Sequence, residues 1–144
     1  MGTLQSKRFD EPDELITLPL LTSQIVVLGE VYLARSTHEP GWRWSEHVKP
    51  VVGTSSCQHH HMGVVVAGQM DVTDAGARRR FGAGEALEVP PGHDAWVVGD
   101  EPMVTIEFTG VRGWAKPTGA GERGYEGAKK IKAASVICWW IRRA

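Results

Sequence analysis

Short runs of alternating apolar and polar residues, broken by glycine and proline, fill most of the chain as far as Gly110. The first, SQIVVLGEVYLARS (Ser23 to Ser36), is followed by the turn HEPG (His38 to Gly41). Next comes WRWSEHV, whose alternation reads as a strand with Trp42, Trp44 and Glu46 on one face and Arg43, Ser45 and His47 on the other. After KPVVG (Lys49 to Gly53) the series continues as HMGVVVAGQMDVTD, turns at Asp74-Ala75-Gly76 and returns as ARRRF. GEALEVP, AWVVG and MVTIEFTG complete it. Strands at this spacing, with no helical periodicity between them, predict an all-β antiparallel sandwich or barrel.

From Val111 the pattern changes. GVRGWAKPTGAGERGYEG is glycine-rich without alternation and reads as a loop, and AKKIKAASVICWWIRRA reads as a helix. In the latter, Ile131, Ala134, Cys138 and Ile141 fall at helical spacing, and Arg142 and Arg143 suit a helix C-terminus. The expected organisation is a β-barrel with an N-terminal arm over residues 1–110 and a loop-and-helix extension over 111–144.

Composition narrows the function classes. A chain of 144 residues with 42% hydrophobic residues suits one core. A formal net charge of −1, from 16 basic and 17 acidic residues, gives no electrostatic reason to expect nucleic acid as partner. No apolar run approaches the roughly 20 residues that span a bilayer. The N-terminus lacks the apolar stretch of a secretory signal, and the two cysteines, Cys57 and Cys138, lie far apart, so a soluble cytoplasmic protein is expected.

The candidate chemistry sits in CQHHHMGVVVAGQ (Cys57 to Gln69). In a regular strand Cys57, His59 and His61 share one face, while Gln58, His60 and Met62 share the other. A thiol with imidazoles suits zinc, iron, nickel or copper, and suits magnesium or calcium poorly. The alternative is a polar strand entrance with an inert buried thiol, and His60 reads as a bystander. Trp42, Trp44 and Trp96 either line an aromatic pocket or fill the core. Glu46 is the candidate carboxylate, as ligand, partner to a ligand or general base, if its face is interior; otherwise His47 turns inward. Arg78, Arg79 and Arg80 read as a solvated strand edge.

Two features resemble the cupin superfamily. In GEALEVPPGHD, Gly84, Pro90 and Gly92 match the start of the second cupin motif, and the apolar run ending at Gly68 matches the close of the first. EPGWRWSEHVKP together with PPGHDAWVVGDEP also looks like a group of small single-domain bacterial cupins. The resemblance covers roughly residues 8–110 and implies a jelly-roll barrel. The ligand positions of the family's motifs fall here on Ser55, Cys57, His61 and Ala95, so its standard set is not reproduced. His93, two residues before Ala95 and on the same strand face, is the nearest substitute. The expected set is therefore His59, His61 and His93, with Cys57 as a fourth. It implies a metal-dependent cupin acting on or binding a small organic molecule. Whether it is an enzyme stays open. The rival reading is a metal-free sensor that binds its ligand among the tryptophans.

One further expectation concerns assembly. In HMGVVVAGQM an inward set of His61, Gly63, Val65 and Ala67 leaves Met62, Val64 and Val66 outside. A strand apolar on both faces needs cover, which predicts a homodimer with a contribution from the C-terminal segment.

Overall fold

The computed structural model describes residues 2–109; the proposed loop and helix of 111–144, with Cys138, lie outside the described residues. Among the described residues nine strands are formed: β1 (Glu14–Leu18), β2 (Leu21–Leu28), β3 (Val31–His38), β4 (His61–Ala67), β5 (Gln69–Asp74), β6 (Ala77–Gly82), β7 (Ala86–Val89), β8 (His93–Val98) and β9 (Met103–Thr109). They pair antiparallel in two sheets, one of six strands in the order β1-β2-β3-β9-β4-β7 and one of three in the order β6-β5-β8. The core between them includes Ile16, Leu21, Ile25, Val48, Val65 and Met103, consistent with a jelly roll.

The alternation sets the faces as expected. Ser23 and Ile25 on β2 and Ser36 and His38 on β3 are buried, and Ser23 and Ser36 bond hydroxyl to hydroxyl across the pair at 2.6 Å. On β4, His61, Gly63 and Val65 face inward, while Val64 and Val66 stand 39% and 54% exposed and, with Phe108 of β9 at 43%, form an outer apolar stripe. The turn Asp74-Ala75-Gly76 closes the β5–β6 hairpin with positive φ at Ala75 and Gly76 (47° and 91°), the geometry that matches strand twist. β6 is an edge strand, and its arginines Arg78 to Arg80 are exposed.

The segment from Trp42 to Gly53 departs from the sequence reading. It is not a strand. It forms two single-turn helices, α1 (Trp44–His47) and α2 (Lys49–Val52). Trp44, Val48 and Val52 recur at four-residue spacing and are all buried, which is the helical period. Asp94 of β8 accepts a bond from the Ser45 amide at 3.0 Å, satisfying an N-terminal donor of α1. Pro50 opens α2, and Gly53, at φ 83°, ends it in the left-handed conformation.

Gly63 positions the site from beneath. A side chain there would collide with the backbone of Ile106 and Glu107, so its absence lets β4 lie close against β9. The register of β4 on β9 shifts between Met62 and Gly63, a bulge beside the buried Glu107. Among the described residues no helix is long and apolar enough to cross a membrane.

Candidate metal centre

Three elements bring the site together. β4 begins at His61, β8 begins at His93 after the turn at Gly92 (φ 99°), and Cys57 sits in the connection before β4. The Cys57 amide donates to the His93 carbonyl at 2.9 Å, and the Gly92 amide donates to the Cys57 carbonyl at 2.7 Å. This short ladder fixes the thiol beside the start of β8. Strict alternation is not carried from Cys57 through His61, because the residues between them are not in a strand.

Among the described residues Cys57, His61 and His93 are all buried, and one ligand atom from each lies within 4.8 Å of the others. The imidazoles of His61 and His93 meet edge to face with centroids 4.9 Å apart. Cys57 Sγ is 3.5 Å from His61 Nε2. Metal–sulfur and metal–nitrogen bonds of about 2.3 and 2.05 Å at a tetrahedral angle subtend about 3.5 Å, so that edge fits a shared ion.

The far side of each ring is already occupied. His93 Nδ1 donates to the Pro90 carbonyl at 2.7 Å, which leaves Nε2 as the lone-pair nitrogen. His61 Nδ1 donates to Glu107 Oε1 at 3.3 Å, which turns Nε2 toward the thiol. An oxygen acceptor behind each imidazole is the usual arrangement for a ligating histidine. Burial alone would lower the His61 pKa, but its bonds to Cys57 and Glu107 outweigh that and hold it up at about 9. Burial pushes the Glu107 carboxyl up, and the bond to His61 opposes the shift.

The other residues expected at the site are placed as follows. The His59 ring lies 6.5 Å from that of His61 by centroids, and His59 is not in the converging group. His60 Nε2 pairs with Glu88 at 2.8 Å on the outer side. Glu46 is exposed on α1, since the helix removes the face it would have shared with the two tryptophans, and the carboxylate behind the site is Glu107. Trp42 and Trp44 line the cavity, but Trp96 is on the outer face of β8, where the Arg43 and Arg78 guanidinium carbons lie 4.2 and 5.3 Å from its ring centroid. β8 alternates His93, Ala95 and Val97 inward, so Trp96 has to point away.

The cavity beside the cluster is lined by Cys57, His61, His93 and Glu107 together with largely apolar side chains, and has room of about 50 Å³ for water-sized contents. Two lining residues that sequence reasoning missed, His38 and Thr105, are also buried. Burial holds the His38 pKa down to about 4, against a backbone bond to Met103, so its imidazole is neutral at physiological pH. Among the described residues His38 Nδ1, Trp42 Nε1 and Trp44 Nε1 have no hydrogen-bond partner, while the Thr105 side chain bonds the Glu107 carboxyl. Each buried polar group left in that state costs about 1–3 kcal/mol.

No protein-family model matches the chain, and no curated protein does. Solved structures do. KdgF from Halomonas sp. is 21% identical with a TM-score of 0.53, over 74% of this chain and 93% of that one. A cupin 2 conserved barrel domain protein from Salinispora arenicola is 18% identical with a TM-score of 0.53, over 74% and 88%. Oxalate decarboxylase from Bacillus subtilis, a protein with Mn(II) centres, is 24% identical with a TM-score of 0.52, but the match spans only 28% of that longer chain and 70% of this one. At these identities the likeness is one of fold: the two sheets of the described residues resemble the jelly roll of cupin barrels.

Proposed function

We propose that Cys57, His61 and His93 hold a divalent transition metal, and that the cavity beside it receives a small organic molecule. The observation that carries this reading is the paired arrangement of the two histidines. Each has its Nδ1 engaged by an oxygen acceptor, and both rings converge with the thiol within 4.8 Å. Three protein donors leave a coordination position for a ligand, as catalytic metal sites do. A thiolate among the donors favours zinc, iron, nickel or copper over the manganese of the oxalate decarboxylase neighbour.

In such a site the metal would polarise a bound oxygen or lower the pKa of bound water. The chain's own residues have separate parts. Glu107 orients His61 and favours its Nδ1-protonated tautomer; Pro90 does the same for His93 through its carbonyl. Met70, Val72, Leu87 and Val89 keep the cavity apolar, which strengthens every charge interaction inside it.

Elemental analysis of tag-free protein tests the reading. It predicts close to one equivalent of metal per chain. Metal-free protein after growth in supplemented medium contradicts it and favours the sensor reading.

A further inference from the structure

The small sheet has two edges, and the chain covers them unequally. Along β8 the segment that precedes β4 is stitched on: the Cys57 amide donates to the His93 carbonyl at 2.9 Å, and the Val97 amide donates to the Trp42 carbonyl at 3.0 Å. β6, at the other edge, is paired with β5 alone, and β7 is the edge strand of the large sheet. Among the described residues no ladder joins β6 to β7. A groove of about 170 Å³ lies in this seam, with Ala77, Arg79 and Phe81 of β6 on one side and Glu88, Val89 and Pro90 on the other. Val72, Phe81 and Val89 line both the groove and the inner cavity that Cys57, His61 and His93 face. The groove is thus the outer continuation of that cavity, and the partly buried Phe81, on an edge strand held from one side, stands between the two.

The charges along the groove are not equivalent. Residues directly opposed in a ladder share a face, so the pairs Val72–Arg79 and Met70–Phe81 put Arg79 and Phe81 on the inward side of β6. Arg78 and Arg80 point the other way, and both are bonded to Asp71. Arg79 is exposed and enters no ion pair among the described residues. Of the two acids in the groove, Glu88 is engaged by His60 at 2.8 Å. The other, Asp74, stands in the row of Ala77 and His93, on the diagonal from Arg79, where such neighbours are about 7–8 Å apart. The guanidinium of Arg79 is therefore the cation that the groove holds ready for an anion from outside.

The geometry points to the β6–β7 seam as the entrance of the site, with Phe81 as its inner wall and Arg79 at its mouth receiving the anionic group of an organic acid. The acid spans both compartments. Its anion and the larger part of its body rest in the groove against Arg79, Val72 and Pro90, and its reacting end passes Phe81 toward Cys57, His61 and His93. A guanidinium meets a carboxylate or phosphate with two parallel N–H bonds, which fixes the direction in which the acid enters. That the reacting end is met by a metal rests on the function proposed above; the entrance and the part of Arg79 do not.

The buried thiol of Cys57 reports what passes the entrance. The full chain, stripped of metal with a chelator, is treated with iodoacetate, a small carboxylate, and with neutral iodoacetamide, and alkylation is followed at Cys57 by peptide mass spectrometry. Arg79→Gln is expected to slow iodoacetate about three- to tenfold and to leave iodoacetamide unchanged, because it removes the attraction for the anion alone. Arg80→Gln, on the outer face, leaves both rates within about twofold. Phe81→Trp, which enlarges the shared wall, slows both reagents about tenfold, whereas mere loosening of the fold would speed them. If Phe81→Trp leaves both rates unchanged or raises them, the seam is not the entrance. Equal effects of Arg79→Gln and Arg80→Gln, or none from Arg79→Gln, overturn the anion site and leave Arg79 as a charge that keeps the edge of β6 from pairing. The metal reading fails separately: a chain that takes up no zinc yet shows both effects keeps the entrance and loses the metal.

Discussion

The two faces of β8 carry two polar clusters of opposite character. On the outside, Asp94 accepts from the Ser45 amide at 3.0 Å and from Arg43 at 3.4 Å, and Trp96 is flanked by Arg43 and Arg78. Beside them Asp71 is bonded by Arg78 at 2.7 Å and Arg80 at 2.8 Å, which holds its carboxyl below the usual range. That network satisfies itself and fastens β5, β6, β8 and α1 together. On the inside, Cys57, His61 and His93 converge, and among the described residues His38 Nδ1, Trp42 Nε1 and Trp44 Nε1 beside them have no partner. Each unpaired group costs about 1–3 kcal/mol, a cost that a bound ligand or an ordered water offsets. Polar residues that close on one another stabilise a fold; those that leave lone pairs and donors converging mark a site.

The comparison breaks first at the ligands. His61→Ala is expected to weaken metal binding by roughly 100-fold or more, whereas His60→Ala and the outer Asp71→Asn leave metal content unchanged. Equal loss from His60→Ala and His61→Ala would erase the distinction between the faces. The next effect is on stability. His38 is fully buried with a folded pKa of about 4, against 6.5 for the exposed group. Below pH 6.5 the unfolded chain takes up a proton that the folded chain refuses. Stability is therefore lost as pH falls from about 6.5 toward 4, by up to about 3 kcal/mol. Urea titrations across that range should show the loss in the native chain and a flatter profile in His38→Gln; identical profiles would remove His38 from the account.

Glu107→Gln sharpens the comparison further. It keeps the shape and removes the charge behind His61, and should lower metal affinity about 10- to 100-fold in a competition with a chelator, with the fold retained. An unchanged affinity would leave Glu107 a buried acid with no part in the site. The smallest effect concerns the other sheet, whose outer stripe of Val64, Val66 and Phe108 contrasts with the polar outer face of β8. Sedimentation of the full chain is expected to give a homodimer that Val66→Lys weakens. A monomer at micromolar concentration would mean that the stripe is not a dimer surface.

Much of the fold was legible because alternation is a local property. The runs that became β2, β3, β4, β5 and β9 could be read directly, and so could the hairpin at Asp74-Ala75-Gly76. WRWSEHV was misread because Trp42, Trp44 and Glu46 also satisfy a period of two; the four-residue recurrence of Trp44, Val48 and Val52, with Pro50 and Gly53 as start and stop signals, was the better guide. Glu46 fell with that error, because α1 removes the face it would have shared with the two tryptophans; Trp96, offered for a pocket or the core, lies on the outer face of a strand that was read correctly, since His93 and Ala95 take the inner one. Glu107 was missed although MVTIEFT alternates cleanly. Val104, Ile106 and Phe108 share one face, and nothing local says that the face with Thr105 and Glu107 is the inner one. That depends on β9 lying between β3 and β4, a pairing of distant segments. His38 was hidden for a similar reason, being read as the first residue of a turn when it is the last of β3.

The central claim is that one thiolate and two imidazoles share a metal inside the barrel, and X-ray absorption at the metal edge of zinc-loaded protein tests it most directly. The account predicts one sulfur at about 2.3 Å and two imidazole nitrogens at about 2.0 Å, with the sulfur lost in Cys57→Ser. A first shell of nitrogen and oxygen alone, unchanged by Cys57→Ser, would contradict it.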